Sequence, residues 1–367
     1  MRDATMLGFT RENHLEGRYQ AMLEKKALIV IIMAVFTAAG AGAQTPPDRF
    51  TVAGGFTPIP LMIKVGEQFV SKAPQYKPPQ ILYNDTTTGF KLFCAGAGPE
   101  TPSINTGTRN VRPAELELCD KNGVNEIVRI NLGRDALVAA QAAGGRLSSL
   151  SRKELFLAVA KDVPDPKDNA KLIANPYKSW KDINPALPDL KIQILAPESG
   201  IGLHQTYITS IVSPGCRQID AFKALETSNP KDFEAVCKSF RKDDAYNEYT
   251  RTPSAIQELK NKPDILGIVA LTMVLRDNLV TLSLDKMEPT LINVSRNTYG
   301  LTFPMFVFIK KSHVGLIPGL KEYLAELTSD AAMGTTGYFY DMGVIPLPLV
   351  ERKQMRADVE TLKVLSK

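Results

Sequence analysis

The stretch YNDTTTGFKLFCAGAGPETPSINTGTRNVRPAELELC, from Tyr83 to Cys119, decides the fold. It reads as a strand, a small-residue turn, a short helix and a second polar turn, an arrangement that aims backbone N–H groups and hydroxyls at one small anion. Asn84-Asp85-Thr86-Thr87-Thr88-Gly89 sets three hydroxyls ahead of the apolar helical run Phe90–Phe93, so the helix opens on a donor-rich N-terminus. Asn105-Thr106-Gly107-Thr108-Arg109 adds further hydroxyls and one guanidinium, and Cys94 and Cys119 bracket the segment.

Outward from this stretch the pattern recurs. Residues 50–53 predict a strand ending in Gly54-Gly55-Phe56-Thr57-Pro58, followed by apolar residues at helical spacing (Leu61, Ile63, Val65, Phe69). Residues 79–83 supply the next strand. Further on, Lys191–Leu195 predicts a strand leading into Ala196-Pro197-Glu198-Ser199-Gly200-Ile201-Gly202 and a helix through Tyr207 and Ile211. Residues 126–138 hold two short β-rich runs around Gly133, read as a hinge. Residues 140–190 read as mostly helix and loop, with a capping box at Ser151–Glu154. Asp264–Leu271 and residues 304–309 predict buried strands, and helices near 316–328, 329–334 and 348–365 close the chain. Strands alternating with helices, with polar glycine turns at strand-to-helix junctions, indicate an α/β fold that binds ligand at the carboxyl ends of its strands.

The N-terminus reads as a targeting segment. Ala27–Ala39 is an apolar run of signal-peptide length after Lys25 and Lys26, and Ala41-Gly42-Ala43 fits a small-x-small cleavage site, giving a signal peptide over 1–43 and a mature chain from Gln44. Met22 offers an alternative start. The remaining 324 residues (367 − 43) suit two domains. Five basic and four acidic residues lie in the leader, so the formal net charge changes from +5 to +4. With no Lys/Arg block and no aromatic-interleaved basic patch, nucleic acid is not an expected partner.

Catalytic and metal chemistry find little support. There is no G-x-S-x-G, Walker loop, H-E-x-x-H or CxxC, and the mature chain holds only His204 and His313, so neither an enzyme nor a metal or cofactor site is expected. His204 reads as a polar packing residue more readily than a ligand contact, and His313 as a surface residue. Arg109 is open between an oxyanion contact and an ion pair with Glu115. Cys94, Cys119, Cys216 and Cys237 allow three connectivities; local pairing is preferred because each pair brackets one helix-sized unit in an exported chain.

With TTTGFKLFC, TGTRNVRPAELELC, GVNEIVRINLGRDALVAA, PGCRQIDAFKAL, PDILGIVAL and FPMFVFIKKSHVGLIPGLKEYLAELTSDAAMGTTGYFYDMGVIPL in view, the chain resembles the phosphate-type substrate-binding proteins of bacterial ABC importers over nearly all its mature length. The resemblance implies a two-lobed type II periplasmic binding protein with two crossover strands and a ligand in the interdomain cleft. It places lobe 1 at 44–137 plus 302–367 and lobe 2 at 138–301. It supports the pairs 94–119 and 216–237. It also implies a monomer in the periplasm that captures a small oxyanion, phosphate foremost, by cleft closure and delivers it to an inner-membrane ABC permease. A binding or sensing module for another small or organic solute is the alternative.

On the ligand positions, Thr57 falls on the family's first-turn threonine, and Thr86 and Thr87 on its second-turn hydroxyls. Ser103 stands where members carry an aspartate. Ser199 and Gly200 keep the Ser-Gly of a Ser-Gly-Thr-Arg motif, whose last two residues are here Ile201 and Gly202. The expected ligand set is therefore Thr57, Thr86, Thr87, Ser103, Arg109, Ser199 and Gly200, without the family's usual acid and arginine.

Overall fold

A computed structural model describes residues 47–165 and 167–366. The leader, its cleavage site and the Met22 start lie outside the described residues. The elements that position the site are β1 (Thr51–Gly54), α1 (Ile59–Lys72), β2 (Gln80–Tyr83), α2 (Thr86–Phe93), β3 (Ile104–Gly107), α3 (Pro113–Lys121), β4 (Ile127–Gln141), β5 (Ile194–Pro197), α4 (Leu203–Tyr207), β6 (Tyr246–Tyr249), β7 (Leu266–Ala270), α5 (Leu271–Asp277), β8 (Thr302–Lys310) and α6 (Leu349–Glu360).

Strand order in the main sheet is β2-β1-β3-β8-β4-β7-β5-β6, with Val280–Thr281 adding a ninth strand beside β4. β1, β2 and β3 are mutually parallel, as are β7, β5 and β6. The two parallel triplets are joined by β8 and β4, each antiparallel to its neighbours. This is a two-lobed α/β architecture, with β4 pairing β8 as far as Ala136 and β7 from Leu137 onward.

The two runs expected around Gly133 are one strand of 15 residues. Gly133 adopts φ +127°, and the β8 register shifts between Met305 and Phe306, so a bulge absorbs the irregularity while the ladder continues. The 140–190 segment likewise holds more strand than expected. Asp162–Asp165 pairs antiparallel with Asp168–Ala174, a two-stranded ribbon that reads as loop because of its prolines and charges. A proline is tolerated there because such a ribbon offers unpaired edges.

Helix α2 is anchored on its apolar side by Phe90 and Phe93, both fully buried, with Phe90 set 4.9 Å from Phe308 of β8. Burying each ring contributes about 1.5–3 kcal/mol. The Cys94–Cys119 disulfide ties the end of α2 to α3, and Cys216–Cys237 closes the helical hairpin of the other half. On its inner side α2 approaches the strands so closely that a Cβ at Gly89 would fall within 2.5 Å of Gly54 Cα and closer still to Asn105 Oδ1. Only glycine permits this approach, which brings the N-terminus of α2 to the carboxyl ends of β1 and β3.

Candidate anion-binding site

Four turns meet at the carboxyl ends of parallel strands: Gly54–Thr57 after β1, Asn84–Thr88 after β2, Gly107–Arg109 after β3 and Glu198–Gly202 after β5. At the second turn Asp85 caps α2, its Oδ1 accepting from Thr88 N at 2.9 Å. The N–H groups of Thr86 and Thr87, the first helical residues, have no intrahelical acceptor. Asp85 is thus occupied as a cap, and its charge offsets part of the positive end of the helix dipole.

Thr86 is the centre of the arrangement. It is 1% exposed, and its Oγ1 is buried without a hydrogen-bond partner among the described residues. Backbone surrounds it: a Cβ on Gly55 would lie 3.0 Å from that oxygen, one on Gly202 2.7 Å and one on Gly107 3.4 Å. A Cβ on Gly202 would come nearer still to Thr108 Oγ1, so the β5 turn abuts the turns after β2 and β3 with no side chain between. The amide of Asn105, just beneath, is also buried with neither polar atom paired. A buried hydroxyl left unpaired costs about 1–3 kcal/mol, and a ligand that accepts from it recovers that cost.

Arg109 forms the ion pair, not a free fork. Its Nη2 lies 2.6 Å from Glu115 Oε1 and its Nη1 2.9 Å from Oε2, with both side chains 11% exposed. Glu115 Oε2 also accepts from Arg112 N at 2.8 Å, fixing the start of α3. Arg109 Nη2 further donates to Thr87 Oγ1 at 3.2 Å, and that hydroxyl donates to Gly200 O at 3.4 Å. A chain from Glu115 through Arg109 and Thr87 therefore reaches the turn after β5.

Of the predicted ligand residues, Thr86, Thr87, Arg109 and Gly200 come together. Ser199 is exposed beside them. Thr57 lines a cavity of about 250 Å³ with Leu61, Thr272, Met273 and Arg276, to which Thr86 and Thr87 do not contribute. Ser103 does not belong to the site: it precedes β3, at the strand's amino end, and its Oγ is 2.9 Å from His313 Nδ1. His313 is fully buried rather than at the surface. Its Nε2 meets Ala97 O at 3.1 Å, and burial lowers its pKa. Beside it, buried Lys310 donates to Gly96 O and Thr101 Oγ1, and burial lowers its ammonium to about 8. The two residues thus pin the 94–103 loop. His204 hydrogen-bonds Pro197 O through Nδ1 at 2.8 Å, a packing role.

Sequence reasoning left Asn105, Thr108 and Gly202 out of the ligand set. The hydroxyls of the Thr-Gly-Thr turn were a legible sign for Thr108, whereas nothing in the sequence marks Asn105 as unpaired. Asp135, on β4, is a second unforeseen polar centre. It is fully buried and accepts from Thr272 Oγ1 (2.5 Å), Ala136 N (2.7 Å) and Thr272 N (3.2 Å), so it caps α5 from the crossover strand. Burial raises its carboxyl to about 6 against those hydrogen bonds.

Two parallel triplets, antiparallel crossovers and glycine-and-hydroxyl turns facing one another define a two-lobed α/β binding protein. A profile described as the PBP superfamily domain matches residues 40–331, and the chain belongs to that superfamily. Among curated relatives, the phosphate-binding protein PstS of Staphylococcus epidermidis is 22% identical over 318 residues, 84% of this chain and 81% of the relative. Protein SphX of Synechocystis sp. is 24% identical over 272 residues, 72% and 69% respectively. Among solved structures, a putative phosphate ABC transporter substrate-binding protein from Clostridium perfringens, with bound phosphate, aligns with TM-score 0.55 at 14% identity, covering 82% of this chain and 100% of that one. A phosphate-binding protein from Stenotrophomonas maltophilia aligns with TM-score 0.56 at 13% identity, covering 84% and 93%. These structures share the fold. Among the described residues no helix is long and apolar enough to cross a membrane.

Proposed function

We propose that the chain is a periplasmic, non-catalytic solute-binding protein that captures a small oxyanion, phosphate foremost, and passes it to an inner-membrane ABC permease. The carrying observation is the buried, unpaired Thr86 Oγ1, enclosed by the backbone of Gly55, Gly107 and Gly202. Thr86, Thr87, Thr108, the first N–H groups of α2 and the Gly200–Gly202 turn form the ligand set. They supply hydroxyl and amide donors without a free guanidinium. Movement of the β5 turn away from Thr86 opens the site, and its return closes it over the ligand. The lobes are taken as 44–137 plus 302–367 and 138–301, a division supported by the change of β4's partner between Ala136 and Leu137. Export through a cleaved leader and action as a monomer complete the reading.

A second reading, a binding or sensing module for another small or organic solute, is favoured by the commitment of Arg109 to Glu115. Equilibrium dialysis of phosphate against the purified chain from Gln44, with sulfate as competitor, separates the two. Micromolar retention of phosphate, resistant to sulfate, supports the importer reading. No retention of either anion leaves the second.

A further inference from the structure

A second cavity, carrying two arginines on an otherwise mainly apolar wall, lies away from the four turns, where β4 meets the C-terminal segment. It has a volume of about 470 Å³ and is lined by Arg134, Ser295, Thr335 and Arg352 together with the apolar stretch from Ile345 to Leu349. No carboxylate lines it. Arg134 is exposed, and its side chain makes no ion pair or hydrogen bond among the described residues. Its backbone is fixed by reciprocal bonds with Ile345 (Arg134 N to Ile345 O and Ile345 N to Arg134 O, 2.9 Å each). Arg352 donates from Nη1 to Leu347 O at 2.7 Å, while its buried Nε has no partner and the guanidinium faces no carboxylate among the described residues.

Helix α6, 12 residues long, starts at the same cavity from Pro348, with no side chain capping it. Glu351 in its first turn is exposed and does not line the cavity. Eight of the fourteen arginines among the described residues meet an acid: Arg49, Arg109, Arg146, Arg152, Arg217, Arg241, Arg276 and Arg356. Two guanidiniums around one concavity with the Thr335 hydroxyl and no acid make a concentration of positive potential with donors for several oxygens.

We propose that this cavity is a second anion site, for a small polyanion bearing phosphoryl or carboxylate groups, held between Arg134 and Arg352 with Thr335 as a hydroxyl donor, the Ser295 hydroxyl being committed to Ile292 O at 2.9 Å. It is distinct from the Thr86 site, shares no residue with it and does not depend on the transport reading.

The test follows the arginine side-chain Nε–Hε resonances of the ¹⁵N-labelled chain from Gln44 during separate titrations with pyrophosphate and with citrate. Arg134→Lys and Arg352→Lys assign the two signals. Saturable shifts of both, with a dissociation constant of about 1 mM or tighter, are expected in the wild type and equally in Thr86→Val. Arg134→Gln, which removes a side chain without structural partners, weakens binding at least about tenfold. The titrant that acts identifies the anionic group. Absence of saturation with both, a shift shared by every exposed arginine, or unchanged affinity in Arg134→Gln overturns the inference. The Thr87 and Gly200 amides report the other site in the same spectra, so each reading fails on its own signals.

Discussion

Arg109 holds Glu115 in a two-point grip, Nη2 to Oε1 at 2.6 Å and Nη1 to Oε2 at 2.9 Å, at the rim of a site whose other donors are uncharged. The guanidinium is already neutralised, and its other bonds go to Thr87 Oγ1 and Asn110 O. In the proposed site, anion capture then rests on hydroxyls, amides and a helix end.

Releasing that grip should exchange stability for affinity. Glu115→Gln keeps an acceptor for Arg112 N but removes the charge, and should cost about 2–3 kcal/mol in urea unfolding. With Arg109 free to turn toward the ligand, phosphate should bind about tenfold tighter. Unchanged affinity in a folded variant would show that Arg109 does not reach the ligand.

Gly202 is the point of closest approach between the β5 turn and the hydroxyls of Thr86 and Thr108. A methyl group there should keep the turn from closing. Gly202→Ala should lower phosphate affinity at least about tenfold, equivalent to about 1.4 kcal/mol, and abolish the ligand-induced decrease in radius of gyration that small-angle X-ray scattering should detect in the wild type. Wild-type binding and compaction would rule out closure at this contact.

Asp135 predicts a pH dependence of stability. Its carboxyl rises from 3.8 to about 6 on folding, so the native state holds more proton than the unfolded state between those values. Stability should therefore fall as pH rises from about 4 to about 6, by at most about 1.4 kcal/mol per unit, and this contribution is flat above that window. Asp135→Asn should remove this component of the slope in chemical denaturation series. An identical slope in the variant would assign the effect elsewhere.

Much of this structure is legible in the residues. The turn after β2 announces itself through three threonines before an apolar helical run, and the turns after β1 and β5 through glycine beside strand-forming stretches. What escaped was set by partners distant in sequence. His313 looked exposed beside Lys310 and Lys311, yet it is buried because Ser103 and Ala97, more than 200 residues earlier, take both ring nitrogens. Ser103 was assigned to the ligand by its place in a motif, but a residue at the amino end of β3 faces away from the end where the turns converge. For Arg109 the two roles could not be ranked from sequence, since six residues of separation allow the pair with Glu115 without requiring it. Residues 126–138 read as two short runs and a hinge around Gly133, because sequence alone does not reveal that a bulge lets β4 run through.

The most direct test of the hydroxyl-and-backbone site is calorimetric titration of phosphate into the wild type and Thr86→Val, paired with urea unfolding of both without ligand. Valine keeps the shape and removes an unpaired buried hydroxyl, so the unliganded variant should be no less stable, and up to about 1 kcal/mol more stable. Its phosphate affinity should fall at least about tenfold. A variant that binds phosphate as the wild type does, or one destabilised by a lost hydrogen bond, would contradict the assignment of Thr86 Oγ1 to the ligand.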